Sequence, residues 1–211
     1  MSYWNIYNIK SAIAQNHATL LAFMLVGTLF MILWDDWRLS LLGWADLGIT
    51  NGFLLLTVWP TPWALSRTVA MALEGSILWF GARRWPHGIY QTRPYSPFLR
   101  VPLLALYGLA TWQLYPYLAP MPIPTSMLQA TIILLGAGIV LLTTGGDLLH
   151  TTLGLLSLLN AMVFVLSSLP IPTDWVLPLT ILDVSVGLIG GMGLASSGIS
   201  AHAILKSGER R

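Results

Sequence analysis

Seven apolar stretches, bounded by Pro, Gly or charge, run through this chain at roughly residues 12–34, 39–58, 64–82, 99–118, 126–144, 148–169 and 175–203. A hydrocarbon core about 30 Å thick is crossed by about 20 apolar residues in a helix, so each stretch is sized as a membrane span. Composition agrees: 9% of the 211 residues are charged, against about 25% in soluble domains, too few to cover a water-facing surface. The sequence therefore predicts an all-α integral membrane protein of about seven transmembrane helices and excludes a soluble two-domain enzyme. The first stretch is too long for a secretory leader and lacks a cleavage site behind it, so it reads as a retained helix.

An odd number of spans puts the termini on opposite sides. Arg38, Arg83, Arg84, Arg93, Arg100, Lys206, Arg210 and Arg211 then share one side, and Lys10 and Arg67 the other. The positive-inside rule orients the N-terminus outside and the C-terminus in the cytoplasm. Trp4, Tyr7, Trp34, Trp37, Trp59, Trp63, Trp85, Tyr90, Trp112, Tyr115, Tyr117 and Trp175 fall at the expected boundaries, where amphipathic rings favour the headgroup level.

Sliding the chain by 109 residues superposes Gly27 on Gly136, Asn51 on Asn160, Glu74 on Asp183, Ser76 on Ser185 and Gly81 on Gly190. An offset of four spans preserves orientation, so the chain reads as one transmembrane domain over 1–211 with a parallel 3+1+3 repeat. The first three-helix unit covers 1–84, a cytoplasmic loop plus linker helix 85–124, and the second unit 125–211. Parallel repeats of this kind build many transporter folds.

Five of the eight carboxylates, Asp35, Asp36, Asp147, Asp174 and Glu209, fall at turns or the tail, whereas Asp46, Glu74 and Asp183 fall inside spans. An ionised group at bilayer depth costs several kcal/mol unless it is paired, hydrated or protonated. With Arg67 assigned to the outer side, no embedded cation is expected to pair with them, which leaves two readings for Glu74, Asp183 and Asp46: proton relay, or protonated acids that hydrogen-bond neighbouring helices as packing. Ala70 and Ser66 precede Glu74 at four-residue spacing, and Gly187, Gly191 and Ala195 follow Asp183, a pattern that lets helices approach closely. His150, at the cytoplasmic mouth of the sixth span, can feed the relay. Asn51, Asn160 and Ser157 are expected as supporting polar groups, the asparagines chiefly as bridges between helices.

The chain has no Cys, which removes thiolate chemistry, iron–sulfur ligation and Cys-type zinc sites. A bis-histidine haem would need two facing imidazoles, and only His150 with His202 comes near. No phosphate loop, nucleophile triad or metal-ligand spacing is found, so no cofactor, metal or active site of the chain's own is expected, and nothing marks it as a nucleic-acid binder.

The segment Gly154-Leu155-Leu156-Ser157-Leu158-Leu159-Asn160-Ala161, followed by an apolar run, a Pro-bearing turn and Leu182-Asp183-Val184, resembles the C-terminal three-helix part of hydrogenase-4 component E, a relative of the K-type membrane subunit of respiratory complex I. Length and span outline also fit that family. Its pattern has Glu-Asn-Gly where this chain has Leu159-Asn160-Ala161; Asn160 and Asp183 match, and the proton-carrying glutamate is missing at 159, so the resemblance implies either a relay rerouted through Glu74 and Asp46 or a subunit that serves as a structural connector. The resemblance implies a non-catalytic subunit in a bacterial or archaeal cytoplasmic membrane, in a complex related to complex I, group 4 hydrogenases or multisubunit antiporters. Its partners would be antiporter-like subunits and hydrogenase-like or quinone-reductase-like ones. Two other readings stand beside it: a stand-alone 3+1+3 transporter, for which no Pro-Gln motif is present, and a structural subunit of another membrane assembly.

Overall fold

The structure, a computed structural model, describes residues 10–13, 15–83, 97–118, 120, 123–168 and 175–208. These form seven long helices: α1 (His17–Leu33), α2 (Trp37–Val58), α3 (Thr61–Ala82), α4 (Pro97–Leu118), α5 (Thr125–Thr144), α6 (Leu148–Ser168) and α7 (Val176–Gly208), with no strand among the described residues. Trp4, Tyr7, Trp85, Tyr90, Arg84, Arg93, Asp174, Glu209, Arg210, Arg211 and the Pro-bearing turn at 170–173 lie outside the described residues, as do the side chains of His202 and Lys206.

Local chemistry sets the helix starts. Asp36 precedes α2 and accepts the Arg38 backbone N–H at 2.9 Å, satisfying one of the donors a helix N-terminus leaves open. Pro60 and Pro62 open α3 and Pro124 precedes α5, where a missing N–H costs nothing. Four helices are long and apolar enough to cross a membrane: α2, α5, α6 and the Val176–Ser197 part of α7. The chain is thus an all-α protein of multi-pass membrane character. The other three depart from that pattern for visible reasons. The first, α1, is apolar but has only 17 residues; α3 carries Arg67 and Glu74 within its 22 residues; α4 contains Arg100, Pro102 and Pro116.

Within the first half α1 packs on α2 and α2 on α3; within the second, α5 packs on α6 and α6 on α7. Across the halves, like meets like: α1 lies on α5, α2 on α6 and α3 on α7, while α4 lies outside against α5 and α1. The α3–α7 pair runs parallel, since Arg67, Glu74, Ile77 and Gly81 meet Asp183, Gly187 and Gly191 in ascending order. Arg100, in the first turn of α4, donates to Asp35 Oδ1 at 2.7 Å and Ile32 O at 3.2 Å, tying α4 to the α1–α2 turn.

Glycines set the closest approaches. A Cβ on Gly27 would stand 2.9 Å from the Gly43 carbonyl oxygen, and one on Gly138 would stand 2.9 Å from that of Gly154. These two pairs make corresponding contacts, α1 on α2 and α5 on α6, and they are displaced by two residues from the 109 offset expected from the sequence. Gly136, the expected counterpart of Gly27, instead meets the Tyr107 ring of α4. The polar coincidences at 109 are therefore not matched by the helix contacts.

Gly154→Leu, which forces a side chain between α5 and α6, is expected to destabilise the detergent-solubilised protein by about 1–3 kcal/mol, read as a lower thermal unfolding midpoint. Gly108→Ala, where a Cβ meets nothing within 4 Å, should leave the midpoint unchanged or slightly raised, since Ala is favoured over Gly inside a helix.

Candidate functional site

Arg67 is the residue around which the polar interior is arranged. It occupies the second turn of α3 and is 0% exposed, so it belongs to the bundle and not to the outer face where the sequence reading placed it. Its Nη2 forms an ion pair with Asp183 Oδ2 of α7 and donates to Asn160 Oδ1 of α6 at 3.0 Å. One guanidinium thus joins three helices. The expectation that the embedded acids lack a cationic partner fails for Asp183 for a simple reason: two helical turns separate Arg67 from the Pro60 turn, enough to carry it into the bundle.

Glu74 stands seven residues further along α3, on the same buried face and about 10 Å away along the axis. Its side chain lies against Gly187 of α7, where a Cβ would stand 3.1 Å from Glu74 Cγ. Glu74 and Asp183 are both 0% exposed. Neither Glu74 oxygen has a hydrogen-bond partner among the described residues, nor do Arg67 Nε and Nη1. Buried polar groups are normally satisfied, and Arg67, Glu74 and Asp183 bring several that are not to the facing sides of α3 and α7. Ser66, expected on the Glu74 face, is instead exposed and donates to Trp63 O at 2.8 Å; the residues that share the buried face are Arg67, Ala70, Met71, Leu78 and Gly81.

Asp46 is not part of this group. It lies on the opposite side of α2, with its carboxylate against Gly27 of α1. Asn51 bridges α2 and α3 by donating to Met71 Sδ at 3.5 Å, and Ser157 spends its proton on Leu153 O of its own helix at 2.8 Å. On α7, Gly187 admits Glu74 and Gly191 admits Ile77, while Ala195 is half-buried.

A second cluster closes the other end of α6. Asp147 caps that helix by accepting the His150 backbone N–H at 2.8 Å, and the same carboxylate takes His150 Nδ1 at 2.6–2.7 Å. His150 Nε2 stands 3.0 Å from Ser40 Oγ in the first turn of α2. His150 is 2% exposed, Ser40 0% and Asp147 9%, so the histidine is enclosed by the bundle and Asp147 is not a solvated turn residue. The Asp–His–Ser order is that of a nucleophile triad, which the sequence reading did not find. Its setting differs: Ser40 is wholly buried, with its hydroxyl 3.3 Å from Asp36 O, and the three groups lock α2 to α6.

This lock can hold a proton without breaking. The carboxylate keeps a proton on Nδ1, which leaves Nε2 to accept from Ser40. When Nε2 is protonated it donates to Ser40 Oγ, whose own proton turns to the Asp36 carbonyl.

Arg67, Ser40 and Asp147 are the residues that reading from sequence missed. The spacing Arg67–Ala70–Met71–Glu74–Leu78 and the Asp147-x-x-His150 cap carried the signal. No protein-family model, curated protein or solved structure matches the chain.

Asp183→Asn, which strands the Arg67 charge, is expected to destabilise the protein by about 3–5 kcal/mol. Replacing both partners, Arg67→Met with Asp183→Leu, should recover most of that loss in the same denaturation assay.

Proposed function

We infer that all seven helices cross the membrane as two parallel three-helix units joined by α4, N-terminus outside and C-terminus in the cytoplasm of a bacterium or archaeon. We further infer that the chain is a non-catalytic subunit of a proton-translocating complex of the complex I, group 4 hydrogenase or multisubunit antiporter kind, with Glu74 carrying the proton. The pairing of α1 with α5, α2 with α6 and α3 with α7 supports the two-unit arrangement. Removing Arg67 from the external cations sharpens the charge asymmetry on which the orientation rests.

The observation that carries the proton reading is a charge imbalance. Two fully buried carboxylates, Glu74 and Asp183, share one buried guanidinium, and Asp183 already holds it in an ion pair. A bound proton balances Glu74; its release leaves a carboxylate that acts on Arg67 and loosens the pair across α3 and α7. Such coupling between a proton and a helix contact is what a relay subunit needs. Glu74 stands in for the glutamate missing at 159, where this chain has Leu159. Along α6, His150 lies about 15 Å from Asn160, so Glu74 falls at a height between the Ser40–His150–Asp147 lock and the Arg67–Asp183 pair. That order supports His150 as the group that exchanges protons with the α6 N-terminal side.

Capture of the tagged chain from native membranes tests the assignment directly. Antiporter-like and hydrogenase-like or quinone-reductase-like subunits are expected with it, and in that complex Glu74→Gln should lower proton-coupled activity by about tenfold or more at unchanged subunit composition. Recovery of the chain alone would overturn the subunit reading in favour of a stand-alone transporter, the second reading that the like-with-like helix pairing supports. A normal rate in Glu74→Gln would overturn the relay.

A further inference from the structure

A groove of about 540 Å³ opens on the outer face of the bundle between α2 and α3. Small residues hollow it out: Ala45 and Gly48 on α2, Ala72 and Gly75 on α3. Trp44 forms its floor, held by an indole N–H to Met71 O at 3.3 Å. Its walls are apolar apart from Arg38 at one end and the hydroxyls of Thr68 and Ser76, which donate to Ala64 O and Ala72 O of their own helix.

That end is built as a headgroup level. Trp37 and Trp79 meet edge to face across α2 and α3, with ring centroids 4.9 Å apart, and the Arg38 guanidinium stands 5.4 Å from the Trp37 ring centre. Arg83, the exposed C-cap of α3, follows one turn beyond Trp79. Arg38 thus lines the mouth, and Arg83 ends α3 on the same side of the bundle. The anion on the same helix start, Asp36, is engaged with the α2 N-terminus. Away from the mouth the groove continues to Ile49 and Thr68, and the eleven steps from Arg38 to Ile49 rise about 16 Å, close to half of a hydrocarbon core about 30 Å thick. Length, apolar lining and a cationic mouth together match one molecule spanning one leaflet.

We propose that this groove is a binding site for an anionic phospholipid, with the phosphate on Arg38 and Arg83 and one acyl chain laid between Ala45, Gly48, Ala72 and Gly75. The site is separate from the Arg67 cluster and does not depend on its function. Selectivity comes from charge, because a phosphatidylcholine of the same chains fits the same groove but carries a compensating cation.

Native mass spectrometry of the full-length protein with phosphatidylglycerol or phosphatidylcholine of identical chains tests it. The wild type should favour phosphatidylglycerol by up to about thirtyfold, the scale of two basic residues at an anionic surface. Arg38→Gln with Arg83→Gln should bring the two lipids level, and Ala45→Leu with Ala72→Leu, both at exposed positions, should reduce binding of both. Equal binding of the two lipids by the wild type, or selectivity that survives the double Arg variant, would overturn the proposal. So would full binding in the Ala45→Leu, Ala72→Leu protein.

Discussion

A guanidinium buried among apolar helices must find its partners inside the protein, and that requirement organises this bundle. Arg67 reaches Asp183 and Asn160, so α3, α6 and α7 are joined at one point. The penalty for stranding a buried charge is several kcal/mol, whereas association of apolar helices in lipid rests on packing alone. The ion pair therefore sets which helices meet and at what height, and the glycines determine how closely. Gly187 gives Glu74 its space, and the Gly81–Gly191 approach brings the two backbones together further along.

The lock at the other end of α6 works by the same logic with weaker groups. Asp147 serves the helix N-terminus and the imidazole at once, and Ser40 ties both to α2. Each of these hydrogen bonds can be made with either placement of the proton, so the cluster holds α2 to α6 in both. The Arg67 group has less freedom. Several of its buried polar atoms have no hydrogen-bond partner among the described residues.

Much of the helical plan was legible in the sequence, and the reasons are local. Apolar runs of membrane length, proline at helix starts and aspartate at caps act within a few residues. The ends expected at 58, 82, 118 and 144 agree with those of α2, α3, α4 and α5. The buried acids were legible as well, since Glu74 and Asp183 interrupt apolar stretches. Their partners were not. Arg67 lies near a turn in the sequence, and only the tilt and contact of α3 against α7 decide that its side chain runs inward.

The amino-acid sequence by itself determined an all-helical chain of multi-pass membrane character, because hydropathy and length are properties of each segment alone. It also determined that Glu74 and Asp183 would need something from the interior. Tertiary structure decided that Asp183 has a cation while Asp46 faces Gly27 elsewhere, that Ser40, His150 and Asp147 converge, and that the halves meet helix by helix. These depend on side chains from segments up to 116 residues apart, as for Arg67 and Asp183, and distance along the chain carries no information about which faces touch.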